Sequence, residues 1–84
     1  MTAAQRIGAN LRRARKEAGL SLEVCALRAE IHPSGMGQYE AGRREAKAET
    51  IVRLAGALGL DPAALLEGIR WEPGEPGRLV VEDA

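Results

Sequence analysis

The chain is cut by a repeated stop-and-restart signal, and this punctuation restricts it to a set of short helices. Gly19-Leu20-Ser21 and Gly59-Leu60-Asp61-Pro62 each place a glycine suited to the position just past a helix end before a residue suited to cap the next helix. Pro33 fits the first position of another helix, where its missing N–H has no intrahelical partner to lose, and Gly42 closes that segment. The apolar residues between these marks keep helical spacing. Ile7, Leu11, Ala14 and Ala18 form one stripe, with Arg6, Arg12, Arg13 and Lys16 off it, and predict a helix from Ala3 to Ala18. A second helix is expected over residues 22–29, with Cys25, Ala26 and Ala29 inward and Ile31 plugging the space before the next. The third runs from Pro33 to about Glu40, with Met36 and Tyr39 on its inner face. After a polar connection, Arg43 to Lys47, a fourth covers 48–58 with Ile51, Leu54, Ala55 and Leu58 as its stripe. A short fifth covers 62–67 and carries Leu65 and Leu66.

The texture changes after residue 68. Ile69-Arg70-Trp71-Glu72 and Leu79-Val80-Val81 are β-prone runs on either side of Pro73-Gly74-Glu75-Pro76-Gly77, the pattern of a hairpin. A lone hairpin is marginal in water, so this one needs the helical body or a second subunit as a partner. The expected fold is therefore all-α, a five-helix bundle over residues 1–68, followed by a short C-terminal β-hairpin or strand in an acidic tail over 69–84.

Composition narrows the class further. The 84 residues are enough for one domain, and 45% of them are hydrophobic, so the chain is not disordered by composition. With no Phe, one Tyr and one Trp, the core must be built from Leu, Ile, Val and Ala, which suits packed helices. No apolar run approaches the roughly 20 residues of a membrane span, and no signal-peptide block opens the chain. These features predict a soluble cytoplasmic protein. One Cys and one His make neither a disulfide nor, by themselves, a zinc site, so no metal or cofactor is expected. Ser21 and Ser34 are the only serines, no base is directed at either, and the glycines fit no phosphate-loop spacing, which argues against an enzyme. The formal net charge of zero conceals an asymmetry. Residues 1–60 hold ten Lys/Arg against six Asp/Glu, a net of +4, and residues 61–84 hold two against six, a net of −4. A basic body with an acidic tail is compatible with a nucleic-acid-binding module.

Two short helices joined by a tight turn inside a small bundle make a helix-turn-helix arrangement. Through Ile7 to Leu11, Arg15-Lys16-Glu17-Ala18-Gly19-Leu20-Ser21, Ala26 to Ala29, Tyr39-Glu40-Ala41-Gly42-Arg43 and Leu54-Ala55-Gly56-Ala57-Leu58-Gly59-Leu60, residues 7–66 resemble the XRE family, the helix-turn-helix class of the lambda-type repressors and Cro. The resemblance implies a transcriptional regulator, a repressor by expectation, that binds double-stranded DNA at a palindromic operator as a homodimer. Residues 33–40 would be the recognition helix in the major groove. Its exposed positions are His32, Pro33, Ser34, Gly37 and Gln38. Gln38 is the expected base reader, because a glutamine amide can pair with adenine N6 and N7 together, while Ser34 could meet a base or a phosphate. His32 also suits a helix cap. Arg43 and Arg44 would hold the DNA backbone, with Arg28 and Lys47 as weaker phosphate candidates. Arg15 and Glu40 would form a structural, partly buried ion pair.

Three positions depart from the family pattern. Leu22 stands where a phosphate-contacting Gln is frequent. Glu30 stands where the turn often has Gly, which carries a strain cost if the position needs φ > 0. Gly35 and Gly37 thin the recognition helix, either to admit the DNA backbone closely or at the expense of base readout. A dimer contact is expected to use the fifth helix through Leu65 together with Trp71, Leu79, Val80 and Val81; Trp71 could equally cover the bundle's edge. Other functions that the same domain could serve are a protein-interaction module, such as an antitoxin or co-regulator with a partner protein, and a non-specific DNA binder.

Overall fold

A computed structural model describes residues 1–83; Ala84, the last residue of the expected 69–84 tail, lies outside the described residues. Four α-helices, α1 (Ala3–Glu17), α2 (Leu22–Ala29), α3 (Pro33–Glu40) and α4 (Ala48–Leu58), are followed by a 3₁₀ helix (Pro62–Leu66) and an antiparallel hairpin of β1 (Ile69–Glu72) and β2 (Arg78–Val81). The caps anticipated at Ser21 and Asp61 are made: Ser21 Oγ accepts from the Val24 N–H at 3.1 Å, and Asp61 Oδ1 from the Ala63 N–H at 2.9 Å. α1 starts with a reciprocal cap, in which Thr2 Oγ1 accepts from the Gln5 N–H and Gln5 Oε1 from the Thr2 N–H.

The fifth element is a 3₁₀ helix where the spacing predicted an α-helix. Only five residues separate Asp61 from Glu67, whose ψ of 133° has already left helical space. The Ala64 N–H closes on the Asp61 carbonyl, an i→i+3 bond. Such a short piece cannot recover the nucleation cost of an α-helix from its own hydrogen bonds. Two assignments on α1 also change. Ala18 is the exposed C-cap and does not extend the stripe, and Arg6, expected on the outer face, is buried with 7% exposure.

The core is a single cluster of Leu11, Cys25, Ala26, Ala29, Met36, Tyr39, Leu54, Ala55 and Leu65, with Ile31, Ile51 and Leu58 packed on its flanks. Three of these residues are alanines and one is a cysteine, small side chains that let the helices lie close. The tightest approach is between α1 and the end of α3. A Cβ on Gly8 would lie 2.6 Å from the Glu40 carbonyl oxygen, and one on Gly42 would lie 2.6 Å from Gln5 Cα. Glycine at both positions lets two backbones touch and fixes where α3 sits.

The hairpin is joined to this body by hydrogen bonds. Its strands contact chiefly each other, and the whole molecule is elongated, 43 × 23 × 22 Å. Arg6 Nε donates to the Glu67 carbonyl at 2.9 Å, and Asn10 Nδ2 donates to the Leu65 and Glu67 carbonyls at 3.0 and 2.8 Å. These are carbonyls at the end of the 3₁₀ helix, which have no partner within it. Gly68 turns the chain beneath the guanidinium at φ +85°, where any Cβ would collide with Arg6. The Glu82 N–H returns to the Gly68 carbonyl at 2.8 Å and closes the base of the hairpin.

Candidate nucleic-acid interface

α2 and α3 are connected by Glu30, Ile31 and His32. Glu30 adopts φ +58° and ψ 41°, the left-handed conformation, and is the only non-glycine residue with positive φ among the described residues. It acts as the helix-ending residue of α2, and the Ile31 N–H reaches back to the Ala26 carbonyl at 3.0 Å. Ile31 is half-buried against the core, so the turn is held on one side by packing and on the other by this bond.

α3 separates its residues sharply. Gly35, Met36 and Tyr39 are buried, Gly37 is half-buried, and His32, Pro33, Ser34 and Gln38 are exposed. Ser34 and Gln38 stand four residues apart, one above the other on the outer face. His32 occupies the N-cap, with its Nδ1 accepting from the Ser34 N–H at 3.1 Å. The core residues behind the helix explain its position, since Met36 and Tyr39 anchor it while Ser34 and Gln38 stay outside.

Beyond α3, Arg43 and Arg44 are exposed. The Arg44 guanidinium lies over the Tyr39 ring, 5.2 Å from its centroid, and a Cβ added at Gly35 would be in ordinary contact with it at 3.6 Å. The ring therefore braces this cation beside the exposed end of α3. Lys47 is exposed at the N-cap of α4 and makes no side-chain cap. Arg28 borders a separate groove of about 510 Å³, formed with Arg53, Gly56 and Ala57 between α2 and α4, and so is not brought together with the α3 residues.

Arg15 and Glu40 form a two-pronged pair. Arg15 Nε donates to Glu40 Oε2 at 2.6 Å and Nη2 to Oε1 at 3.0 Å, while Nη1 donates to the Leu20 carbonyl at 2.9 Å. Their side chains are 13% and 8% exposed. The bond to Glu40 pushes the Arg15 pKa above its ordinary value, so the guanidinium keeps its charge in spite of its burial. It ties the end of α1 to the end of α3 and to the turn before α2. Burial pushes the thiol of Cys25 up, as expected for a thiol enclosed in a core.

On the hairpin, Trp71 and Leu79 stand directly opposite each other and are 68% and 63% exposed. Ile69 and Val81 share that face and are half-buried at its base. Val80 lies on the other face with Arg70, where Glu72 and Arg78 also pair. Leu65 corrects the sequence expectation: at 1% exposure it is a core residue beneath α1 and α4, with no surface left for a second subunit. The residues missed by sequence reasoning are Arg6, Asn10 and Gly8. Arg6 and Asn10 are spaced i, i+4, so they share a face of α1, but polar side chains on one face read equally well as solvated.

Taken together, a braced short helix after a tight turn, with polar residues outward and cations at its end, defines a helix-turn-helix module. The chain belongs to the helix-turn-helix domain family, whose model matches residues 6–67, and it is of the XRE type of DNA-binding transcription regulators. The restriction-modification controller protein C.AhdI from Aeromonas hydrophila is similar at 34% identity, covering 74% of this chain and 94% of that one with a TM-score of 0.72. The clp gene regulator ClgR from Corynebacterium glutamicum is similar at 29% identity over 79% of this chain and 86% of that one, with a TM-score of 0.76. The DNA-binding domain of the P22 c2 repressor is similar at 25% identity over 81% and 88%, with a TM-score of 0.73. No curated protein matches the chain. Among the described residues no helix is long and apolar enough to cross a membrane.

Proposed function

We propose that the protein is a sequence-specific repressor that binds a palindromic operator as a homodimer, with residues 1–68 as the reading module and 69–84 as the dimerisation element. The observation that carries the reading is the outward row on α3: Ser34 and Gln38 exposed above buried Met36 and Tyr39, with Arg44 stacked on the Tyr39 ring. In this role Gln38 reads a base edge, with Pro33, Gly37, His32 and Ser34 at the same surface, and Arg43, Arg44 and Lys47 meet phosphates. Arg28 faces its own groove and makes at most a peripheral phosphate contact.

A helix of eight residues offers few base contacts, so two half-sites about one helical turn apart are the expected target. The apolar pair Trp71 and Leu79, on a two-stranded sheet whose edges are open, supports pairing with a second copy of the chain through the hairpin. The acidic tail then lies away from the phosphates.

The test is selection from a random duplex library, followed by titration of the winner and a scrambled duplex at several salt concentrations. A palindromic winner bound at least ~10³-fold more tightly than scrambled DNA is expected. Trp71→Glu should abolish dimerisation in sedimentation and weaken operator binding. Equal, steeply salt-dependent binding of both duplexes would show backbone contact alone. Absence of binding to either would turn the reading toward a protein-partner module, such as an antitoxin.

A further inference from the structure

We propose that His32 and Ser34 act as one reading unit of fixed polarity, in which Ser34 Oγ accepts a hydrogen bond from the exocyclic amine of adenine or cytosine while His32 Nε2–H donates to an acceptor on the DNA. The inference rests on the reading of α3 as the DNA-facing helix and specifies what its first turn recognises.

The argument starts from a group with only one possible role. A backbone N–H can only donate. The Ser34 N–H is directed at His32 Nδ1 at 3.1 Å, so Nδ1 carries a lone pair and the ring proton sits on Nε2. Ser34 Oγ lies 2.7 Å from the same Nδ1. With Nδ1 unprotonated, this short contact is favourable only if the hydroxyl donates, sharing the single ring lone pair with the backbone N–H, and in the proposal its proton stays on the ring. What Ser34 then offers to solvent is a pair of oxygen lone pairs. What His32 offers is the opposite, a single N–H donor at Nε2. Both side chains are exposed, and they flank Pro33, which has no N–H of its own and fixes φ at the start of the helix.

The chemistry of the duplex selects the partners. In the major groove the only donors are the N6 amine of adenine and the N4 amine of cytosine, whereas guanine N7 and O6, adenine N7, thymine O4 and the phosphate oxygens are all acceptors. Ser34, with its proton held by His32, meets an amine and is unsuited to a phosphate or a guanine edge. His32 takes one of the acceptors. The cap that starts α3 thus also determines which way round its first two polar side chains can be read. A serine hydroxyl without this neighbour could serve either role.

The test uses the full chain and the duplex recovered by selection. Adenines are replaced one at a time by purine lacking the N6 amine, cytosines by pyrimidin-2-one lacking the N4 amine, and purines by their 7-deaza analogues. Loss of one particular amine should weaken binding of the wild type by about 3–10-fold, the scale of one neutral hydrogen bond. Ser34→Ala should be insensitive to that same replacement. His32→Ala, which lets the hydroxyl donate as well as accept, should keep part of that sensitivity but tolerate an acceptor, such as guanine O6, at the same position where the wild type does not. A role confined to capping would lower the affinity of each variant uniformly across the duplexes. The proposal is overturned if amine removal weakens wild type and Ser34→Ala equally at every position, or if Ser34→Ala is coupled to a 7-deaza replacement in place of an amine. If selection yields no preferred duplex, both this proposal and the reading of α3 fail; a preferred duplex without the coupling removes this proposal alone.

Discussion

The helical body and the hairpin are held together by different kinds of interaction. In the body, nine side chains from α1 to the 3₁₀ helix form one apolar cluster, and Arg15–Glu40 ties two helix ends across it. In the hairpin, the apolar face is largely uncovered, its cross-strand pairs Arg78–Glu72 and Arg70–Glu82 are exposed, and its attachment runs through Arg6 and Asn10 to carbonyls at its base and through the Met1 amino group to Asp83. Exposed ion pairs contribute about 0–1 kcal/mol each, and a two-stranded sheet is marginal alone. The body therefore has its own reason to be rigid, while the hairpin depends on a few directed bonds, with Trp71 and Leu79 exposed. A chain built this way can hold α3 in place while the outer face of its hairpin stays open.

Four substitutions test this contrast. Arg15→Met leaves Glu40 buried without a partner and should lower body stability by about 3–5 kcal/mol, with loss of DNA binding in parallel. Denaturant unfolding measures it, and an unchanged midpoint with only a binding defect would contradict the structural role. Arg6→Met removes the guanidinium donors to the Glu67 carbonyl and, at 3.5 Å, to the Glu82 carbonyl. Its cost, about 1–3 kcal/mol, should fall mainly on the hairpin. Amide exchange at Glu82 should accelerate while that of α2 and α4 changes little; uniform acceleration would show that hairpin and body unfold as one unit.

Smaller effects are expected on α2 and α3. A Cβ on Gly37 meets nothing within 4 Å, so Gly37→Ala should raise stability by about 1 kcal/mol. If DNA affinity falls as the melting temperature rises, the glycine admits the DNA backbone; if both rise, the glycine only weakens the helix. Glu30→Gly relieves a left-handed side chain and should stabilise by at most about 1 kcal/mol, since glycine also gains freedom in the unfolded chain. A drop in melting temperature would assign Glu30 an interaction that outweighs its strain.

Much of the architecture was legible along the chain. Gly19, Gly42 and Gly59 marked helix ends, Ser21 and Asp61 marked starts, and the stripes through Leu11, Cys25, Met36 and Leu54 identified the inward faces. The capping box of α1, Thr2 with Gln5 three residues on, is a local pattern of the same kind, but it came to light only in the structure. The candidate site was legible only in part. The spacing of Met36 and Tyr39 separated the inner face of α3 from Ser34 and Gln38, but no pattern distinguishes a solvated arginine from one that, like Arg6, reaches a carbonyl 61 residues away.

Local chemistry thus determined the helices, their limits and the faces they bury, because caps, glycines and apolar spacing act within one or two turns. Contacts between distant segments required the folded chain. Leu65 was one apolar residue among several until α1 and α4 enclosed it. Arg6 and Asn10 became the hairpin's attachment because α1 runs past the end of the 3₁₀ helix, where carbonyls without helical partners must find donors.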